Sequence, residues 1–277
     1  NHTALDYEPS WSPDGMHIAF RSNRDGGDEV YVIDKEGGGP ARLTSGHTTV
    51  RLPTWSPDGS RIAFQSFRNG NWDIGIVGLD GSGQAYLTSS LASDWDLGWA
   101  PDGQRIAFTS NRDGNTEVYV MSVDGSGLLN LTNHAASDYE PSWSPDGGRI
   151  AFTSDRGGNA DVYVMGLDGN PPVNLTKNGA RDHNAVWSPD GTHIAFNSDR
   201  GGAEQIYLMN ANGTGLIRLT RQLGRPSLDC WSPSGTQVAF HALPYGNSEI
   251  YTVNLDGTGQ RNLSKNAAHD ASPSWTP

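Results

Sequence analysis

Carboxylates recur at two fixed distances before a repeated tryptophan. The tryptophans stand at Trp11, Trp55, Trp99, Trp143, Trp187, Trp231 and Trp275, each 44 residues after the last. Five residues before them lie Asp6, Val50, Asp94, Asp138, Asp182, Pro226 and Asp270. Three residues before them lie Glu8, Leu52, Asp96, Glu140, Asn184, Leu228 and Ser272. Residues two apart on a strand point the same way. The pairs Asp94 with Asp96, Asp138 with Glu140 and Asp182 with Asn184 are therefore expected to form one acidic arc, joined by Asp6 and Glu8 and repeated at Asp270. Crowded carboxylates either keep protons or hold a cation. An all-oxygen set suits Ca²⁺ better than zinc, so the arc is a candidate calcium site. The alternative is a set of groups that face water or cap backbone amides.

Around the same loops stands an aromatic set, Tyr7, Trp72, Trp95, Tyr139, His183 and Tyr245. Aromatic side chains beside a few polar groups at a concave opening are the usual make-up of a binding site. They mark a candidate surface for a protein or peptide, the alternative being packing between loops.

These residues are positioned by a unit of the form W-S-P-D-G-x-x-I-A-F. In the fourth copy, Tyr139 to Trp143 reads as a first strand, A, closed by the turn Ser144-Pro145-Asp146-Gly147. Proline presets the first turn dihedral and glycine accepts the positive φ that follows. Strand B is Arg149 to Ser154, strand C Asp161 to Met165 and strand D Val173 to Thr176, with glycine-rich turns between them. Four strands joined by tight turns make an antiparallel blade, and a period of about 40–45 residues is the mark of a β-propeller. Phe20, Phe64, Phe108, Phe152, Phe196 and Phe240 fill one position and are expected to pack between blades. Arg24, Arg68, Arg112, Arg156 and Arg200 are expected to pair with the turn aspartates Asp14, Asp58, Asp102, Asp146 and Asp190.

The unit, extended to S-x-R-x-G, Y-V-M-x-x-D-G and L-T, resembles the WD40-like repeat of TolB and of the dipeptidyl-peptidase IV N-terminal propeller. The resemblance covers essentially the whole chain. It implies one all-β domain over residues 1–277, a six-bladed β-propeller of four-stranded antiparallel blades. It also implies a periplasmic or secreted location.

Strands B, C and D occur six times and strand A seven times, so the innermost strand is duplicated at the two termini. Either the C-terminal copy closes the ring, or it is loose, or it pairs with another molecule through its open edge. A monomer is expected unless that strand is exchanged. Blade six departs most from the pattern, with Ser234 at the turn aspartate position and Leu243-Pro244-Tyr245 in place of S-x-R. Relaxed constraint near the seam is the simpler account; a functional edge is the other.

The net charge of −12 disfavours nucleic acid and anionic membrane as partners. No apolar run approaches the roughly 20 residues of a membrane helix. Asn1 falls inside a repeat, which suggests a processed product. Cys230 is the single cysteine, so no intrachain disulfide forms. The chain lacks the G-x-S-x-G, H-E-x-x-H and P-loop motifs, so no catalytic residues are assigned. The reading is a non-catalytic binding propeller for a protein or peptide, with calcium as its candidate ion. The competing reading is a metal-dependent lyase or lactonase acting on a small acidic or sugar-derived substrate near His47, His134, His183 and His269.

Overall fold

The computed structural model describes residues 4–46, 49–221, 223–244 and 246–276. The fold is an all-β, six-bladed propeller in which each blade is a four-stranded antiparallel sheet. Blade one holds β1 (Asp6–Trp11), β2 (His17–Ser22), β3 (Glu29–Asp34) and β4 (Ala41–Arg42). Blade two holds β5 (Thr49–Trp55), β6 (Arg61–Arg68), β7 (Asn71–Gly78) and β8 (Ala85–Tyr86). Blade three holds β9 (Asp94–Trp99), β10 (Arg105–Ser110), β11 (Glu117–Ser122) and β12 (Leu129–Asn130). Blade four holds β13 (Asp138–Trp143), β14 (Arg149–Ser154), β15 (Asp161–Gly166) and β16 (Val173–Asn174). Blade five holds β17 (Asp182–Trp187), β18 (His193–Ser198), β19 (Gln205–Asn210) and β20 (Ile217–Arg218). Blade six holds β21 (Ser227–Trp231), β22 (Gln237–Ala242), β23 (Glu249–Asn254) and β24 (Arg261–Asn262). Two compact units emerge, Asn1–Asn133 with Thr276–Pro277, and His134–Trp275.

The repeated apolar residues build the core as expected. Phe64, Phe108, Phe152, Phe196 and Phe240 are fully buried. In the second unit Ala195, Ile206, Leu208 and Leu219 of blade five pack on Leu228, Trp231, Val238 and Phe240 of blade six. The tryptophans also stitch successive blades. Trp55 Nε1 donates to the Ser10 carbonyl at 2.9 Å, Trp99 to Thr54 at 3.1 Å and Trp231 to Val186 at 3.1 Å. A blade buries little alone, so these between-blade contacts carry much of the stability.

A second repeated lock holds the ends of each blade. The strand D threonines Thr44, Thr88, Thr132, Thr176 and Thr220, with Ser264, donate to Glu29, Asp73, Glu117, Asp161, Gln205 and Glu249 at the start of strand C. The same hydroxyls accept the next strand C amide, as at Val30 and Ile206. Buried donors and acceptors are thereby satisfied in every blade.

Blade two breaks one column and repairs it. Tyr31, Tyr119, Tyr163, Tyr207 and Tyr251 stack on the repeated phenylalanines. Gly75 replaces that tyrosine, and a Cβ there would lie 2.4 Å from Phe64 Cζ. Tyr86 of β8 supplies the ring instead, edge-on to Phe64.

Candidate functional site

Strand A is not a regular strand, and this decides where its acids point. In blades one to five it pairs with strand B through the tryptophan, the residue before it, and the residues four and five before it, whereas in blade six Leu228, three before Trp231, stays in the ladder opposite Phe240. The ladder shifts in between, as from His183 to Val186. The skipped residue three before the tryptophan is left-handed, with φ 55° at Glu8, 52° at Leu52, 51° at Asp96, 56° at Glu140, 53° at Asn184 and 55° at Ser272. Such a bulge cancels the two-residue alternation. The expected acidic arc, in which both columns share a face, is therefore corrected.

The column five before the tryptophan turns into its own blade. Asp94, Asp138 and Asp182 are fully buried. Arg112 reaches Asp94 at 2.8 Å, Arg156 reaches Asp138 at 2.7 Å and Arg200 reaches both oxygens of Asp182 at 2.9 Å. Asp6 meets Arg24 at 2.9 Å but is 45% exposed. Each arginine also donates through Nε to the preceding serine and lies over the strand C tyrosine. The pairing expected between these arginines and the turn aspartates is thus replaced. The turn aspartates accept from Ser12, Ser56, Ser144 and Ser188 and from the amide two residues on. Those bonds, the serine hydroxyls foremost, pull Asp58 and Asp190 down to about 2. In blade two Val50 replaces the acid, and Arg68 takes Asp73 at 2.8 Å.

The column three before the tryptophan ties one blade to the next. Glu8 Oε2 accepts from the Leu52 amide at 2.6 Å, and Glu140 Oε2 accepts from the Asn184 amide at 2.8 Å. Asn184 Nδ2 donates to the Leu228 carbonyl at 2.8 Å. Each of these bonds spans 44 residues. Among the described residues no three His, Cys, Asp or Glu side chains gather closely enough to hold a metal ion.

The residues four before the tryptophan stand directly across the ladder from the residue after each repeated phenylalanine. These partners are Tyr7 with Arg21, Arg51 with Gln65, Trp95 with Thr109, Tyr139 with Thr153, His183 with Asn197 and Ser227 with His241. In the first unit they form a ladder of stacks. The Arg21 guanidinium lies 4.6 Å from the Tyr7 ring centroid and 3.8 Å from Glu8. The Arg51 guanidinium lies 3.8 Å over Trp72, and its Nε donates to Gln65 at 3.0 Å. Burial depresses the pKa of Arg51, against the charges of Asp96 and Glu8. Trp72 meets Phe67 edge-on at 5.4 Å. Tyr7, Leu52 and Phe67 are exposed.

In the second unit the same columns carry imidazole and carboxylate. His183 Nε2 meets Glu204 at 2.8 Å and its Nδ1 lies 3.9 Å from Glu140. Burial opposes the charge on His183, but the two glutamates outweigh it and its pKa is raised. Tyr139 has a raised pKa from burial and from Asp155 and Glu140, opposed by Arg181. His241 meets Asp229 at 2.9 Å, which raises the histidine's pKa. Burial, with Asp229 beside it, pushes the Cys230 thiol up to about 12, and its Sγ donates to the Pro273 carbonyl at 3.3 Å.

Of the sequence-predicted partner-binding residues, the structure brings Tyr7 and Trp72 into the first ladder and His183 beside Glu140 and Asn184 in the second unit. Trp95 stands half-buried on β9, and Tyr245 lies outside the described residues, as does His47. Sequence reading missed Arg21, Arg51, Glu204, Asp229 and His241. One signal could have found several of them: within I-A-F-x-S the x position reads Arg21, Gln65, Thr109, Thr153, Asn197 and His241. It follows an invariant phenylalanine, precedes serine in every copy but the last, where Ala242 stands, and only threonine occurs twice.

The family model described as the TolB β-propeller domain matches residues 1–95, 53–171 and 141–228. The chain belongs to the TolB β-propeller family. Among solved structures, TolB from Acinetobacter baumannii superposes with a TM-score of 0.75 at 25% identity, covering 97% of this chain and 65% of that one. The chain thus spans 65% of the length of that relative. A putative TolB from Agrobacterium tumefaciens gives 0.65 at 25% identity, over 79% of this chain and 82% of that one. Oligogalacturonate lyase from Vibrio parahaemolyticus gives 0.77 at 15% identity, over 96% and 80%, and shows the shared fold alone. No curated protein matches the sequence. No helix among the described residues is long and apolar enough to cross a membrane.

Proposed function

We propose that the chain is a non-catalytic, TolB-like binding propeller of the bacterial periplasm whose ligand is a protein or peptide. Recognition centres on the ladder of Tyr7, Arg21, Arg51, Trp72 and Phe67. The observation that carries this reading is the pair of guanidinium–aromatic stacks, Arg21 on Tyr7 and Arg51 on Trp72, beside the exposed Leu52 and Phe67. Tyrosine, tryptophan and arginine are the residues on which interface energy concentrates, and aromatic stacks hold the guanidiniums in place before a partner arrives.

Leu52 carries the same left-handed bulge as strand A in blades one, three, four and five, at φ 52°, and is 40% exposed; the conformation costs a branched residue roughly 1–2 kcal/mol. Leu52→Asn is expected to raise stability by about 1 kcal/mol while weakening partner binding.

The test compares proteins retained from a periplasmic extract by the wild-type chain and by an Arg51→Ala, Trp72→Ala double variant of equal melting temperature. Loss of a retained protein from the double variant alone is expected. Identical retention by both chains would sink the proposal.

A metal-dependent lyase or lactonase finds less support. His183 and His241 are engaged with carboxylates of their own unit, and the buried aspartates already hold arginines.

A further inference from the structure

The turn from strand C to strand D closes tightly in four blades. The Gly78 amide donates to the Ser82 carbonyl at 2.9 Å, Ser122 to Ser126 at 2.9 Å, Asn210 to Thr214 at 2.8 Å and Asn254 to Thr258 at 3.0 Å. Each of these turns ends on a left-handed glycine, with φ 63° at Gly83, 65° at Gly127, 68° at Gly215 and 65° at Gly259. Blade four has Pro171 at that place, followed by Pro172. A proline ring holds φ at about −65°, so this turn cannot close in the same way. Among the described residues Gly166, the counterpart of Ser122, makes no such bond. A second anchor is missing too. The Leu79 amide reaches Ser60 at 3.1 Å, Val123 reaches Gln104 at 3.0 Å and Ala211 reaches Thr192 at 2.9 Å, whereas Leu167 makes no matching bond to Gly148.

Beside the open turn lies a cavity of about 890 Å³, wholly within the second unit. That is the size of a small-molecule site. Its wall is aliphatic, formed by Val164, Met165, Leu167, Pro171, Val173 and Leu175. The polar groups it offers a ligand are donors: the Arg149 guanidinium and the amides of Gly166 and Leu167. Asp168 also lines it, but its carboxylate accepts from the Asn170 amide at 3.2 Å and from Asn170 Nδ2 at 2.5 Å. Arg149 is held differently from its counterpart in blade three. Arg105 is clamped by Asp102 at 2.7 and 3.0 Å. Arg149 stands 3.9 Å from Asp146 and lies over the Trp187 ring at 4.6 Å. A guanidinium placed on a ring and only loosely paired is pre-organised for an anion.

We propose that this cavity binds an aliphatic carboxylate. The acyl chain lies along Val164, Met165 and Leu175, and the carboxylate pairs with Arg149 through charge-assisted hydrogen bonds. Charge complementarity fixes the head group, because the wall's one cation stands at its polar side. The saturated wall fixes the tail, since a flexible chain fills it and its burial removes apolar surface from water. The pair of prolines is what separates blade four from blade three, where Gly127-Leu128 closes the turn.

The probe is decanoate, titrated below its micellar range into the full chain by calorimetry. The chain has four methionines, so their methyl resonances report where the ligand sits. Saturable binding that shifts the Met165 methyl and leaves Met121 in place is expected. Arg149→Gln is expected to weaken decanoate about tenfold, and glutamine is tolerated there, since Gln237 fills the same place in blade six. Decanol, with the same chain and no charge, is expected to bind the wild type as weakly as decanoate binds that variant. Pro171→Gly with Pro172→Leu restores the blade three turn and is expected to abolish binding at an unchanged melting temperature. Should that double variant misfold, Arg149→Gln and decanol still decide. No binding by the wild-type chain overturns the proposal, as does binding that leaves the Met165 methyl unmoved. Equal affinity for decanol and decanoate, or affinity indifferent to Arg149→Gln, overturns it equally.

Discussion

A buried carboxylate is defined by its cation. Asp94, Asp138 and Asp182 are fully buried against one arginine each, while Asp6 makes the same pair in the open. Removing one partner of a buried pair costs roughly 3–5 kcal/mol because the other charge is left stranded, whereas an exposed pair is worth about 0–1 kcal/mol. Arg112→Met is therefore expected to lower the chemical-denaturation midpoint strongly and Arg24→Met hardly at all. Equal effects of the two would refute the distinction. His183 gives a residue-scale test against pH. Its pKa is raised above the ordinary 6.5 by Glu140 and Glu204, against burial and Arg181. A raised pKa means its stabilising charge is complete below 6.5 and is lost as pH rises through the folded value. His183→Gln should lower the melting temperature at pH 6, and the gap should close in alkaline buffer; a constant gap would show that packing, not charge, matters.

At the scale of the element, the turn after the tryptophan works in blades one, two, four and five through one aspartate that accepts a serine hydroxyl and a backbone amide, while in blade three Ala100 replaces the serine. Blade six lacks it, with Ser234 bonded weakly between Ser232 and Thr236. Ser234→Asp is expected to stabilise the fold by about 0.5–1 kcal/mol at pH 7, as comparable side-chain caps do. The sign against pH follows from the depressed values near 2 at Asp58 and Asp190. The gain is present above the ordinary 3.8 and lost as pH falls through the folded value. Denaturation curves at pH 7 and pH 2 check it; a gain that survives at pH 2 would show another cause. The bulge in strand A is the other element that matters. Its effect was not legible in the sequence, because the acids at the third and fifth positions look like alternate residues of one strand. Only the left-handed backbone at the third position itself separates a column that enters the blade from one that caps the next.

For the molecule as a whole, charge is more organised than a net value of −12 suggests. The acids expected to gather a cation are divided among arginines, amides and imidazoles. Calcium titration by calorimetry is accordingly expected to show no heat at millimolar concentration; a saturable signal lost in Asp96→Ala or Glu140→Ala would restore the calcium site. The seventh copy of the strand A sequence, at 270–275, joins none of the six sheets, whereas the repeat of 44 residues determined the six four-stranded blades and their apolar core. It could do so because turn chemistry and apolar period are local and each blade repeats them. The partners of Arg24, Arg112, Arg156 and Arg200 and the ladder from Tyr7 to Phe67 were decided only by the tertiary structure. Those depend on which side chains meet across the ladder and between blades, and a bulge of one left-handed residue redirects them without leaving a mark in composition or spacing.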